Sequence, residues 1–215
     1  MDPERLVSYL HSLESNQSPI LERMAAEAAR DGVPIVRRET AAFLQTMVAA
    51  LKPRRILEIG TAIGYSALLM MEAAGEDTCL TTIEKDPDRI LRARANFAES
   101  GMADRITLYE GDAGELLKTL DGSFDLIFLD AAKGQYIHFL PAILSLLPEG
   151  GVLISDNVLQ EGDILESRFA VRRRDRTIHA RMREYLWTCK HHEELLSSVL
   201  PVGDGVMVSV KKTRR

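Results

Sequence analysis

From Arg55 onward the chain alternates short apolar runs with stretches whose apolar residues recur every three to four positions. This alternation predicts an α/β fold in which parallel strands are joined by helices lying on both faces of one sheet. Five strands are predicted, Arg55–Ile59, Cys79–Glu84, Arg105–Glu110, Phe124–Asp130 and Gly151–Asp156. Each is a nearly continuous apolar run, as a sheet covered on both faces requires, and the segments between them are long enough for right-handed crossovers. Ahead of the first strand, Pro3–Glu14, Pro19–Arg30 and Arg37–Leu51 show helical spacing and predict a cap over the sheet. After the fifth strand a polar, Arg-rich stretch leads to a helix over Thr177–His191 and to two strands, Leu195–Leu200 and Val206–Val210. The connecting Pro201-Val202-Gly203-Asp204-Gly205 is turn chemistry, so an antiparallel pair should close a seven-stranded, mostly parallel sheet.

Composition narrows the class without changing this picture. With 215 residues, 46% hydrophobic and 27% charged, residues 1–215 read as one compact domain. No run approaches the roughly 18 apolar residues of a spanning helix, and Met1-Asp2-Pro3-Glu4-Arg5 is charged where a signal peptide would be apolar. A cytoplasmic protein without membrane contact is expected. Cys79 and Cys189 lack Cys-x-x-Cys spacing, which argues against a zinc site or a disulfide framework, and Cys79 in its apolar run reads as a buried free thiol. A formal net charge of −5 argues against indiscriminate nucleic-acid binding.

Candidate chemistry clusters at the predicted strand ends. Glu58-Ile59-Gly60-Thr61-Ala62-Ile63-Gly64-Tyr65-Ser66 follows the first strand and opens a helix, where backbone N–H groups can receive a polar or anionic ligand. Its Gly-x-x-x-Gly spacing places Ala62 where a dinucleotide fingerprint needs glycine, so a nicotinamide cofactor is disfavoured. Glu84, ending the second strand, is placed to accept from both hydroxyls of a ribose. Gly111-Asp112-Ala113 after the third strand could hold an adenine ring. Each piece alone fits an ordinary turn with a helix cap; at successive strand ends they favour an adenosine-type ligand. Glu58, an acid ending an apolar strand, needs a partner, either the ammonium of a methionine moiety, directly or through water, or a structural salt bridge.

Adjacent parallel strands should also bring Asp130, Asp156 and Asn157 together at the carboxyl edge of the sheet. Two carboxylates and an amide oxygen form a hard, all-oxygen set suited to Mg²⁺, Mn²⁺ or Ca²⁺, although either Asp could simply cap the helix that follows. Lys133 lies three residues beyond Asp130. His138, His179 and the adjacent His191 and His192 read as solvated side chains, because neighbouring helical residues point apart.

On these motifs the chain resembles the cation-dependent O-methyltransferases, the family of catechol and caffeoyl-CoA O-methyltransferases, from Val33-Pro34-Ile35-Val36 to the Pro201–Gly205 turn. The resemblance implies a Rossmann-like class I methyltransferase fold and S-adenosylmethionine as cofactor. Val36, Glu58, Gly60, Thr61, Gly64, Tyr65 and Ser66 would line its site together with Glu84, Asp112, Ala113 and Asp130. It further implies that Asp130, Asp156 and Asn157 bind the metal, that Lys133 and Asp130 are catalytic, and that the protein is a homodimer, with the N-terminal helices (residues 1–52) as one source of contact. Ala132 departs from the Asp of many plant-type relatives, but the metal set does not depend on it.

The acceptor is less sharply indicated. Residues 157–185, read as a substrate-facing insertion, together with Lys133-Gly134-Gln135-Tyr136 and the Pro201–Gly205 turn, are most similar to a bacterial branch that methylates 5-hydroxyuridine at the tRNA wobble position. The expected partner is then the tRNA anticodon region. Between Arg168 and Arg183 seven arginines face one acid, Asp175, and Lys211, Lys212, Arg214 and Arg215 add a basic tail. Arg172, Arg173, Arg174 and Arg176 are candidate phosphate contacts; a solvated helix face or subunit salt bridges would account for many arginine runs, but a position directly after a candidate metal ligand favours phosphate contacts. A small catechol or an acyl-CoA ester is the alternative acceptor. A non-catalytic adenosine-binding module is the alternative outside enzymes.

Overall fold

The computed structural model describes residues 3–213, so Arg214 and Arg215 of the basic tail lie outside the described residues. Seven strands form one sheet in the order β3-β2-β1-β4-β5-β7-β6. They are β1 (Arg55–Ile59), β2 (Cys79–Glu84), β3 (Ile106–Glu110), β4 (Leu126–Leu129), β5 (Val152–Ser155), β6 (Leu195–Leu200) and β7 (Val206–Lys211). The first five are parallel; β7 runs antiparallel to both β5 and β6, as the turn chemistry before it predicts. The helices are α1 (Pro3–Leu13), α2 (Pro19–Asp31), α3 (Arg38–Leu51), α4 (Tyr65–Ala73), α5 (Pro87–Ser100), α6 (Ala113–Leu116), α7 (Tyr136–Leu146) and α8 (Arg176–His191).

Strand alternation divides the core in two. Ile56, Phe128 and Ile154 face a layer containing Leu44, Leu68 and Phe97, while Leu57, Ile127 and Leu153 face Tyr136, Ile143 and Tyr185. Helix α4 is buried from Tyr65 through Met71, and this follows from its place between the sheet and a further layer made by α2 and α3. The N-terminal helices therefore cover α4, one layer out from the sheet. A nearly all-apolar α4 is what such a three-deep arrangement demands, and burying its Leu68, Leu69, Met70 and Met71 contributes roughly 1.5–3 kcal/mol per side chain.

Two expectations change at the sheet margins. Strand β3 is an outer strand, and Tyr109 on it is 41% exposed, so it lacks the double cover that its apolar content suggests. Cys79 is exposed, because it is the first residue of β2 and its side chain points away from the buried Leu80 face; Cys189 is the buried thiol. The basic tail also differs from expectation. Lys211 donates to the Leu144 and Leu147 carbonyls and Lys212 to that of Glu193, which fastens the end of β7 to the body. Among the described residues no helix is long and apolar enough to cross a membrane.

Candidate functional site

The strand order reverses between β1 and β4, and a cleft of about 470 Å³ opens there, beyond the carboxyl ends of β1, β2 and β4. In an open α/β sheet this is where diverging connections leave room for a ligand. Its walls include Val36, Gly60, Thr61, Tyr65, Ser66, Glu84, Asp112, Ala113, Asp130, Lys133 and Asn157, all predicted from the sequence. Pro34, Ile35 and Phe139 add apolar lining, and Lys85, Arg89 and Gln135 polar lining; of these Phe139, Lys85 and Arg89 carried no sequence signal.

The loop after β1 is shaped by steric limits as much as by a ligand. A side chain on Gly60 (φ +98°) would place its Cβ 2.2 Å from the Asp130 carbonyl oxygen, so glycine here lets the ends of β1 and β4 touch. Gly64 (φ +88°) faces the Phe97 ring, with a Cβ position 2.6 Å from it. It does not line the cleft, which corrects its expected cofactor role: this glycine admits α5 against α4. Ala62 takes a left-handed conformation (φ 47°) that costs a non-glycine residue of the order of 1–3 kcal/mol. Glu84 holds it there, accepting the Ala62 N–H on Oε2 at 2.9 Å and the N–H groups of Lys85 and Asp86 on Oε1. The carboxylate thus both braces the loop and faces the cleft.

Glu58 sits lower than expected. It is fully buried beneath the cleft, accepting from the Ser66 hydroxyl at 2.5 Å and from the Thr82 hydroxyl at 2.6 Å, and it is not part of the cleft wall. Burial pushes its pKa up, and the hydrogen bond from Ser66 opposes that rise. Its partners are hydroxyls, not the Lys or Arg of a structural salt bridge, and Ser66 is the group through which it reaches the cleft. At the third strand end Asp112 caps α6 through Gly114 N at 2.9 Å while remaining in the wall.

The oxygen set assembles as the strand register dictates. Leu129 pairs with Ser155, so the next residues, Asp130 and Asp156, emerge side by side, with Asp156 N donating to Leu129 O at 3.0 Å. Asn157 follows in a left-handed conformation (φ 54°), which asparagine tolerates better than most residues. Beneath them the Tyr136 hydroxyl lies 3.2 Å from the carbonyl oxygens of both Leu129 and Asp156. Tyr136 packs edge-on against Tyr185, whose hydroxyl is 2.6 Å from Ser155 Oγ. This buried tyrosine pair, absent from the sequence expectations, pins the ends of β4 and β5.

Electrostatically the set is under-neutralised. Burial, then the proximity of Asp156, pushes the Asp130 pKa up to about 7. Burial raises Asp156 to about 6 against the pull of the Asn157 backbone N–H and Lys133. Asp156 Oδ1 receives a long hydrogen bond from Thr40 at 3.5 Å, and its buried Oδ2 has no partner. An unpaired buried carboxylate oxygen is costly, and two carboxylates and one amide oxygen fit a hard divalent cation. Among the described residues no three His, Cys, Asp or Glu side chains gather at metal-ligand spacing, so a cation here would take the Asn157 amide as its third protein oxygen. Asp156 itself is buried below the cleft surface.

The arginine-rich segment divides into two groups. Arg172 and Arg173 are exposed, and Arg174 is exposed with its Nε 3.5 Å from Asp175. Arg176, by contrast, is half-buried and donates to the Val171 and Phe169 carbonyls, so it shapes the segment and is not a free phosphate donor. Arg181 donates to the Gly134 carbonyl, beside Lys133. Of the histidines, His191 is exposed and stacks on Trp187, as a solvated residue can; His179 is instead buried, because its position on α8 faces inward.

Residues 11–212 match the family described as O-methyltransferase. A catechol O-methyltransferase of Mycobacterium tuberculosis is 34% identical over 169 residues, which cover 76% of each chain. Among solved structures, the SAH-bound methyltransferase PaMTH1 of Podospora anserina superposes with a TM-score of 0.88 at 28% identity, covering 98% of this chain and 95% of its own. The O-methyltransferase TomG of Streptomyces achromogenes, in complex with SAM, gives a TM-score of 0.87 at 25% identity, covering 99% of this chain and 100% of its own.

Proposed function

Because the chain belongs to the O-methyltransferase family, we propose that it moves the methyl group of S-adenosylmethionine onto a hydroxyl oxygen with the help of a divalent cation. The observation that carries the metal-assisted reading is the partnerless Oδ2 of buried Asp156, beside Asp130 and beneath the cleft that Lys133 lines. The SAH- and SAM-bound neighbours support the cofactor assignment. In this reading Glu84 takes the ribose hydroxyls, Asp112 and Ala113 the adenine edge, and Val36, Gly60, Thr61, Tyr65 and Ser66 the remainder, with Glu58 acting behind Ser66.

Transfer breaks the sulfur–methyl bond, whose electron pair returns to sulfur, as the acceptor oxygen forms the new bond in line with it. Asp130, Asp156 and Asn157 would hold a divalent cation, which would supply stabilisation of the acceptor's oxyanion and favour an acceptor with two neighbouring oxygens. Mg²⁺ suits an all-oxygen set of this kind. Lys133 faces the same space and either receives the hydroxyl proton or stabilises the oxyanion as an ammonium.

For the acceptor we propose 5-hydroxyuridine at the tRNA wobble position, whose O5 and O4 are neighbouring oxygens, giving 5-methoxyuridine. The exposed Arg172 and Arg173, on a segment that starts at Asn157, support contact with tRNA phosphates. A small catechol is the second reading, favoured by the M. tuberculosis relative. The test supplies each acceptor with protein, S-adenosylmethionine and Mg²⁺. Mass spectrometry of tRNA nucleosides should show 5-methoxyuridine; methylation of the catechol alone would transfer the assignment to small molecules.

A further inference from the structure

Leu165 and Phe169 are each 83% exposed, more than any other large apolar side chain among the described residues. Both lie in the segment between Asn157 and α8, and that segment is held in shape. Arg183 Nη1 lies 3.3 Å from the Ile164 carbonyl and 3.4 Å from that of Glu166, bracketing Leu165. Arg176 donates to the Phe169 and Val171 carbonyls, both at 3.3 Å, and its guanidinium carbon is 5.9 Å from the Phe169 ring. Arginine donors spent on backbone carbonyls fix a loop whose apolar side chains nonetheless face water. Folding gains nothing from that exposure, whereas a ligand with apolar faces would.

The surroundings indicate which ligand. In the chain Phe169 is flanked by the exposed Arg168, Arg172 and Arg173, a composition suited to a polyanion with flat apolar parts. Both ends of the segment are anchored at the cleft: Asn157 lines it, and Ile178 and Arg181 of α8 pack against Gly134, next to Lys133. We propose that Phe169 is a stacking platform for an unpaired nucleobase flanking the one that enters the cleft, with Leu165 as its apolar margin. This inference rests on the RNA-acceptor reading above. Stacking on an aromatic face tolerates any base and releases no counterions, so its contribution is separable from that of the arginines.

The experiment uses the full chain and an anticodon stem-loop RNA with 5-hydroxyuridine at the wobble position. RNA affinity is read by fluorescence anisotropy at several salt concentrations, alongside methyl transfer to the RNA and to a small catechol. F169A should weaken RNA binding about tenfold at every salt, leaving the slope of affinity against salt, cofactor affinity and any catechol activity unchanged. F169W should restore binding, and R172A/R173A should instead flatten the slope. RNA binding by F169A equal to that of a wild type that does methylate the RNA overturns the platform alone. A wild type that neither binds nor methylates the RNA removes the acceptor reading and the platform with it. An equal loss on RNA and catechol, or an F169A protein that sediments as a monomer where wild type is a dimer, assigns Phe169 to the fold or to a subunit contact and also overturns the proposal.

Discussion

The ammonium of Lys133 lies 3.9 Å from Oδ2 of Asp204, a carboxylate brought to the cleft by the turn between β6 and β7. Asp204 is buried, and its Oδ1 accepts the Glu161 N–H while its carbonyl accepts that of Leu159. Its neighbours make the approach possible: Gly203 lies against Thr40 and Gly205 against Leu159, where any side chain would collide. D204N keeps an acceptor for Glu161 but loses the charge facing Lys133. It should lower kcat about tenfold with cofactor affinity unchanged, less than the roughly 10²–10⁴ that a positioned proton-transfer group itself contributes, because Asp204 acts only through Lys133. In a K133A background the same change should add nothing. Additive losses in that double-mutant cycle would mean that Asp204 acts independently of Lys133.

Turnover should require a divalent cation. Excess chelator should abolish methyl transfer and Mg²⁺ should restore it, whereas D156A should be inactive at any Mg²⁺ concentration yet bind S-adenosylmethionine with near wild-type affinity. Calorimetry of cofactor binding beside the activity assay separates these outcomes. Full activity in chelator would falsify the metal assignment.

Stability of the metal-free protein should depend on pH. Asp130 and Asp156 titrate near 7 and 6 in the fold, above the ordinary carboxylate range near 4. A raised folded-state pKa means that the folded protein holds these protons more tightly than the unfolded chain. The associated stability is complete below about pH 4 and is lost as pH rises through 6 and 7. Between pH 5 and pH 8 the Tm in chelator should therefore fall further than in Mg²⁺, which compensates the deprotonated pair. Parallel Tm curves with and without Mg²⁺ would count against a shared site for cation and protons.

Glu84 should matter twice, for the ribose and for the Ala62 turn. E84A should weaken S-adenosylmethionine binding by about 1.5–3 kcal/mol, the usual range for hydrogen bonds to a charged group. Restoring glycine-like freedom with A62G should recover only the part of this loss due to the released turn. An E84A affinity matching wild type would place the ribose partner elsewhere in the cleft.

Replacing Arg172 and Arg173 with alanine should reduce tRNA affinity and its salt dependence together, since fewer counterions are released. R176A should behave differently. Its donors hold the Phe169 and Val171 carbonyls, so its loss should disturb the segment even for a small acceptor. Equal salt slopes for wild type and R172A/R173A would return these arginines to an ordinary solvated role.

What the sequence disclosed follows from periodicity and strand-end chemistry. The strands β1, β2 and β6 fall where apolar runs predict them, and Asp130, Asp156 and Asn157 meet because parallel register carries neighbouring strand ends together. Contacts between elements far apart in the chain were not readable in the same way. Nothing local distinguishes Gly64, which answers to Phe97, from Gly60, which answers to the Asp130 carbonyl. Tyr136 stands in the Lys133–Tyr136 motif, but nothing in that motif tells that its hydroxyl lies beneath two strand ends. Glu58 carried the right signal, a buried acid in need of partners, but the hydroxyls of Ser66 and Thr82 that answer it lie on another helix and another strand.

The order of the last strands bears on how this protein is made. Synthesis delivers β6 before β7, yet β7 occupies the place between β5 and β6, so β6 has no partner in the sheet until β7 exists. The walls of the cofactor cleft, by contrast, come entirely from residues up to Asn157. A chain interrupted ahead of the final hairpin would carry every cleft-lining residue but lack Asp204, and the open edge of β5, the strand leading to Asp156, would stand exposed to other chains. The final hairpin therefore both closes the β5 edge and delivers the carboxylate that faces Lys133.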